Sequence, residues 1–379
     1  MTAIRTTLRC AAIALIAAAC SQGPGPSSTT GPVLPDAFVP DTELLAAAEA
    51  EGGTLTTIAL PRDWCNYGAL IDAFEAHTGL AVNELAPNSG SSDEIEAIRA
   101  SEGNPGPAAP DVVDVSLPFG PFAADQGLLA PYKVRAWDAI PASSKDPDGR
   151  WHGGYFGVTS FEVNTAFVDR PPTDWPDLLA SEYANQLALP GDPRHSNQAM
   201  MAVYAASLGN GGSLDDARPG LDLFRQLAES GNLLPTIATA TSSASGETPI
   251  TIRWTHHSLP SRDATAAAEG PRIEIVVPAS GPLGQLSVQA ISAHAPHPSA
   301  AKLWMEFLYS DEGQLLWLEG YCHPVRFEHL VAEDKIPAGL LARLPDVSGV
   351  RFPTLAQLDA ARELIEGQWD AVVGVDIRQ

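Results

Sequence analysis

The chain has 379 residues, 46 of them acidic and 22 basic, for a formal net charge of −24. So acidic a balance disfavours nonspecific attraction to nucleic acid or to an anionic membrane face. The apolar fraction of 45% allows a packed core, and the length suits two domains.

Met1 to Arg9 carries Arg5 and Arg9 and no acid, and an uncharged apolar run follows from Cys10 to Ala19. This is the layout of a secretory signal peptide, expected over residues 1–19. The run is about half the roughly 20 residues needed to span a bilayer, and no later stretch is long and apolar enough to cross one. Ile16-Ala17-Ala18-Ala19-Cys20 resembles the lipobox of bacterial lipoproteins, in which the first mature cysteine carries lipid. Cys20 is therefore expected to be acylated; ordinary cleavage after Ala19, with Cys20 a bystander, is the alternative. Residues 20–40, rich in Gly, Ser, Thr and Pro, cannot bury enough apolar surface to fold and read as a flexible tether.

Beyond the tether, Asp41 is placed to cap a helix over 43–50, and Gly52-Gly53 stop it before a strand over 54–60. Asn66 caps the next expected helix, whose Leu70, Ile71 and Phe74 share a face and which Gly79 terminates; a strand follows over 80–85. Ser91-Ser92-Asp93-Glu94 has capping-box spacing and opens a helix carrying Ile95 and Ile98. The short apolar run over 111–115 reads as a strand buried in a parallel sheet. This alternation implies an α/β lobe with right-handed crossovers.

The pattern then repeats: a strand over 186–189, a loop over 191–197, a helix over 198–208 ended by Gly209, and strands over 250–254 and 273–277. Two extended, β-rich segments, 155–164 and 285–293, lie between and after these sets and are placed to carry the chain between lobes. The last third is helical, with Ser299 and Ser310 as caps. Leu355, Leu358, Leu364, Ile365 and Trp369 mark one face of a final amphipathic helix.

The sequence holds no Gly-x-Ser-x-Gly elbow, His-Glu-x-x-His, phosphate-binding Gly-x-x-x-x-Gly-Lys-Ser/Thr, Cys-x-x-Cys, or Gly-x-Gly-x-x-Gly on a strand-to-helix turn. The weight moves to binding, with a lipid-anchored enzyme as the alternative class; no catalytic residue, cofactor or metal is assigned. Between Ala295 and Arg326 the chain reads His297-Pro298, an aromatic helix, Ser310-Asp311-Glu312-Gly313-Gln314, Gly320-Tyr321 and Pro324-Val325-Arg326. In that order these segments resemble the bacterial ABC-transporter solute-binding proteins of the iron(III), phosphonate and polyamine branch. Phe161-Glu162-Val163-Asn164-Thr165 is similar to the family's first crossover strand, and Gly246-Glu247-Thr248-Pro249-Ile250 to the start of its second-lobe strand.

The resemblance implies an α/β, two-lobed periplasmic-binding-protein fold of type II, with two crossover strands and a helical C-terminal region. Residues 41–158 plus 289–379 would form lobe 1 and the C-terminal helices, and 159–288 lobe 2. The protein would be a monomer, exported and held to a bacterial membrane only by its lipid. It would close about its crossovers on a small solute and pass that solute to ABC permease subunits. The Gly-Tyr-x-x-Pro segment holding Cys322 returns, in the family's layout, to the lobe that holds Cys65, which implies a Cys65–Cys322 disulfide suited to an oxidising compartment.

In open parallel sheets, ligands sit beyond the carboxyl ends of strands, where loops and helix N-termini converge. That rule selects Asp63, Trp64, Tyr67, Ser91, Ser92 and Phe119 in the first lobe, with Asp192, Ser196, Asn197, Arg253 and Trp254 in the second. Glu162 and Asn164 on the first crossover, and Tyr321 and Arg326 in the Gly-Tyr-to-Arg stretch, complete the candidate set. Hydroxyls and backbone N–H groups at 88–92 suit an anion, though simple N-capping explains them equally. Arginines suit an anion, acidic side chains an amine, and aromatic rings either stack on ligand or fill the core. Adjacent strand residues face opposite ways, so His256-His257 does not read as a metal site. The iron-binding relatives' paired tyrosines have no counterpart here. A small anion or zwitterion such as a phosphonate is the first reading; a polyamine or ferric ion bound by the same fold is the alternative.

Overall fold

In the computed structural model, residues 37–104 and 106–378 are described. The expected signal peptide, Cys20 and most of the tether lie outside the described residues. The first lobe starts with α1 (Thr42–Ala50), where Asp41 accepts from the backbone N–H groups of Glu43 and Leu44. Then β1 (Thr54–Ile58), α2 (Tyr67–Thr78), β2 (Ala81–Leu85), α3 (Ser91–Ala100), β3 (Val112–Ser116), α4 (Phe119–Asp125) and β4 (Leu129–Ala130) follow. β1 runs parallel to both β2 and β3, with Thr54 opposite Ala81 and Thr57 opposite Val112.

The long strand β5 (His152–Asn164) is the first crossover, buried throughout. Its first half pairs with β10 (Gly284–Ser292) and its second half with β8 (Ile250–Trp254) and β9 (Ile273–Val276). The second lobe comprises β6 (Leu187–Leu189), α5 (Asn197–Gly209), α6 (Arg218–Glu229), β7 (Leu233–Ile237), α7 (Ala240–Ser245), β8, α8 (Thr255–Ala267) and β9. β10 then returns the chain to the first lobe, antiparallel to β3. The result is a continuous sheet with the main order β2-β1-β3-β10-β5-β8-β6-β7. Continuity follows from the length of β5, which extends through both halves.

After β10 come α9 (Pro298–Leu308), α10 (Asp311–Glu319), β11 (His323–Pro324), α11 (Phe327–Ala332), α12 (Ala338–Leu341) and α13 (Leu355–Val372). Helices α9 and α10 supply Trp304, Phe307, Leu315 and Trp317 to the first core. α13 does not join them. Its Leu358, Ala361, Ile365 and Trp369 are buried with Phe224, Tyr204 and Leu187 in the second core. This corrects the expectation that everything after residue 289 belongs with the first lobe. An amphipathic helix identifies its apolar face but not its partner, and the open apolar side of α5 and α6 takes it.

Two expected caps also move, and a third keeps its place without making a side-chain cap bond. Gly90 is the N-cap of α3 and its N–H donates to Asp93, so Ser91 is already helical. Ser299 lies in the first turn of α9 behind His297 and Pro298, and its hydroxyl donates to Glu51. Asn66 occupies the cap position of α2 with φ 63°, but its side-chain amide donates to the Leu316 carbonyl. Among the described residues, no helix is long and apolar enough to cross a membrane.

Candidate functional site

The two lobes meet in a cleft over the crossovers, whose first-lobe wall rests on a buried polar network. Asp114 is an acid inside the apolar run Val112-Val113-Asp114-Val115. Its Oδ2 accepts from Tyr67 Oη at 2.7 Å and Tyr155 Oη at 2.8 Å. Gln289 on β10 donates to Tyr67 Oη at 3.1 Å, and Trp64 Nε1 donates to Tyr155 Oη at 2.7 Å. Asp114 Oδ1 is buried without a partner among the described residues. Burial pushes the Asp114 carboxyl up to about 6, against the opposing pull of its hydroxyl and amide donors. The network joins β3, α2, β5 and β10, so it fixes the Trp64 ring relative to the hinge strands.

The second-lobe wall is formed by the starts of α5 and α8. Ser196 caps α5, accepting from Ala199 N–H at 3.3 Å. Gln198 Nε2 and His257 Nδ1 lie 2.9 Å apart, linking the two helix starts. His256 and His257 occupy the first turn of α8. Their rings meet Trp64 edge-on, with centroids 5.0 and 5.2 Å from it. Burial holds His256 well below the ordinary imidazole range and brings His257 to about 4. Gly157 on β5 makes room for His256, since a Cβ there would run into its ring.

Beside this contact is a cavity of about 280 Å³ reached by both lobes and the second crossover. Ser116 to Phe119 line it from the first lobe, His195, Asn197 and Met201 from the second, and Gly284 to Leu286 from β10. Phe352, Leu358, Arg362 and Glu366 close it from the C-terminal side. Asn197 spans the opening, donating to Gln285 Oε1 at 2.9 Å and accepting from Arg362 at 3.1 Å. The walls are mostly apolar, with cationic and acidic groups at one end, which suits a compact amphipathic solute.

Of the expected residues, Phe119 and Asn197 line the cavity. Trp64 sits in the contact with His256 and His257, Tyr67 is buried in the Asp114 network, Ser196 caps α5, and Ser91 accepts from Ser116 N–H at 3.1 Å. The remaining candidates do not line the cavity, and the polar groups of several are engaged elsewhere. Arg253 pairs with the fully buried Glu162 at 2.9 Å. Asn164 donates to the Ser243 and Ala244 carbonyls at the end of α7. Asp192 pairs with Arg194, which also reaches Asp370 at 2.6 Å and Asp376 at 2.9 Å. Arg326 donates to the Tyr309 carbonyl and pairs with Asp311. Tyr321 contacts Asp263 and Arg343. Trp254 is core, and Asp63 and Ser92 are solvent-exposed.

Asp114, Tyr155, Gln289, His195 and Arg362 were missed. Asp114 carried a legible signal, a charge set in an apolar strand. Arg362 carried none, because it sits on a helix that sequence reasoning assigned to the other lobe.

The disulfide Cys65–Cys322 is present, with Cα atoms 5.4 Å apart. It ties the loop after β1 to the turn after α10.

Three similar proteins bear on this architecture. An uncharacterized protein of Haemophilus influenzae is 28% identical over 211 residues, 52% of this chain and 58% of that protein; the chain thus spans little more than half of that relative. A putative extracellular solute-binding protein of Bordetella parapertussis superposes with a TM-score of 0.69 at 15% identity, covering 85% of this chain and 99% of that one. The periplasmic binding protein AfuA of Actinobacillus pleuropneumoniae, with fructose 6-phosphate bound, superposes with a TM-score of 0.59 at 21% identity, covering 85% and 98%. Both share the two-lobed fold. The model of the bacterial extracellular solute-binding protein family matches residues 108–348, a stretch holding both crossovers and the second-lobe wall of the cleft, and the chain belongs to that family.

Proposed function

We propose that the protein is the lipid-anchored capture component of an ABC importer, taking a small anion or zwitterion between its lobes and delivering it to the permease. The cavity of about 280 Å³ carries this reading. Arg362, His195 and the start of α5 offer positive charge and N–H groups to an anionic group, and Glu366 faces them for an amine. Leu286, Phe119 and Phe352 supply the apolar walls. The sugar phosphate in AfuA, a protein of the same fold, supports an anionic solute. Hinge closure would bring the walls together and exclude water.

A thermal-shift screen over phosphonates, sugar phosphates, amino compounds, polyamines and ferric chelates tests the solute class. Binding to the native state alone stabilises by about 2.7 kcal/mol at a hundredfold excess over Kd. Anions or zwitterions should raise Tm, and Arg362→Gln should abolish the rise; a response confined to polyamines or ferric chelates would overturn the solute assignment. For the anchor, Cys20→Ser should move the protein to the soluble fraction, and an unmodified mature N-terminus in the wild type would refute acylation. Stable anchoring takes more than one acyl chain, at about 0.8 kcal/mol per buried CH₂.

A further inference from the structure

We infer that the Cys65–Cys322 disulfide is the staple of a latch that biases the lobes toward the closed form. The inference rests on the two-lobe capture reading, but its test needs no ligand. Each cysteine is preceded in sequence by a first-lobe aromatic residue that grips α8 of the second lobe. Trp64 packs against His256 and His257 at the start of α8. Tyr321 donates its hydroxyl to Asp263, two turns further along the same helix. Arg343 lies over the Tyr321 ring at 4.8 Å and within 3.5 Å of Asp263, closing a small charged cluster around that contact.

The bridge makes these two grips one unit. Cys65 and Asn66 have φ of 46° and 63°, and Tyr321 has 66°, left-handed values that side chains rarely adopt without outside constraint. The Cys65–Cys322 link and the Asn66 bond to the Leu316 carbonyl supply that constraint. Gly320 is packed so closely on Cys65 and Asn66 that a Cβ would strike their backbone. Trp64 and Tyr321 are thereby presented to one helix with fixed spacing. Losing the bridge frees the two loops to relax separately, and the closed form loses its preorganised contact.

The experiment compares small-angle scattering of the ligand-free mature protein with Cys65→Ser/Cys322→Ser, Trp64→Ala and Tyr321→Phe, the last two keeping the bridge. A control of comparable destabilisation, Ile98→Ala in the first core, separates latch from fold. The wild type should show the radius of gyration of a compact body, roughly 20 Å for this size. All three latch variants should show a larger radius with retained circular dichroism, and the control should not. If the cysteine variant fails to fold, the other two decide. Profiles superimposable on wild type, or a wild type already open, would overturn the latch. A solute identified in the screen while the profiles stay unchanged would leave the capture reading standing and the latch refuted.

Discussion

Asp114 shows how a single residue links packing to chemistry. Its Oδ2 holds two tyrosine hydroxyls while its Oδ1 is buried without a partner among the described residues. Its folded-state carboxyl is raised from 3.8 to about 6. The native state therefore binds this proton more tightly than the unfolded chain, and the cost of ionisation accrues as pH rises from about 4 to 6 and stays constant above that. Asp114→Asn keeps an acceptor oxygen for the tyrosines and removes the charge. Urea unfolding should show the variant more stable than wild type at pH 8, by about 1–3 kcal/mol. The gain should shrink toward pH 4, and an equal difference at both pH values would refute the assignment.

At the scale of elements, β5 and β11 bury two histidines whose ring nitrogens have no partners among the described residues. His152 at the start of β5 and His323 in β11 are both held near 4 by burial. His323 stacks on Phe156 at 5.3 Å and meets Phe327 edge-on at 5.1 Å. Here the sign is opposite to that of Asp114. Between pH 6.5 and 4 the unfolded chain takes protons that the native rings refuse, so stability falls as pH falls through that window. Each histidine contributes about 3 kcal/mol to the loss, and the single gain from Asp114 does not offset two such terms. His323→Phe, apolar and close in shape, should flatten the acid limb of a Tm-versus-pH curve. An unchanged limb would place the acid sensitivity elsewhere.

For the whole molecule, the decisive feature is that the chain crosses between lobes a third time. β5 and β10 are the hinge strands, and α13 returns to complete the second core after the intervening helices have packed on the first. Trp369 is fully buried there beside Phe224, its Nε1 donating to the Val375 carbonyl at 2.7 Å. Trp369→Ala removes that fill and leaves a cavity, which costs about 3–5 kcal/mol. Because α13 also carries Arg362 and Glu366 to the cavity, the variant should lose both Tm and solute response. Retention of wild-type Tm would mean that α13 is dispensable to the second lobe.

The sequence by itself determined the α/β class, the alternation of strands and helices in the first lobe and part of it in the second, and two extended segments as crossovers, but it did not mark α6, β7, α7 or α8. Period, caps and terminators act over a few residues, as at Asp41, Gly79 and Ser310, and these are visible locally. It also marked Trp64, Tyr67, Phe119 and Asn197 as strand-end or helix-start residues. The tertiary structure decided which lobe α13 joins, which charged side chains find partners, and that Trp64 meets His256 and His257. Those outcomes depend on contacts between residues far apart in the chain, such as Glu162 with Arg253 and Arg194 with Asp376. A buried charge must find a partner to offset its desolvation, yet the sequence states only that the partner is needed, and the fold alone selects it.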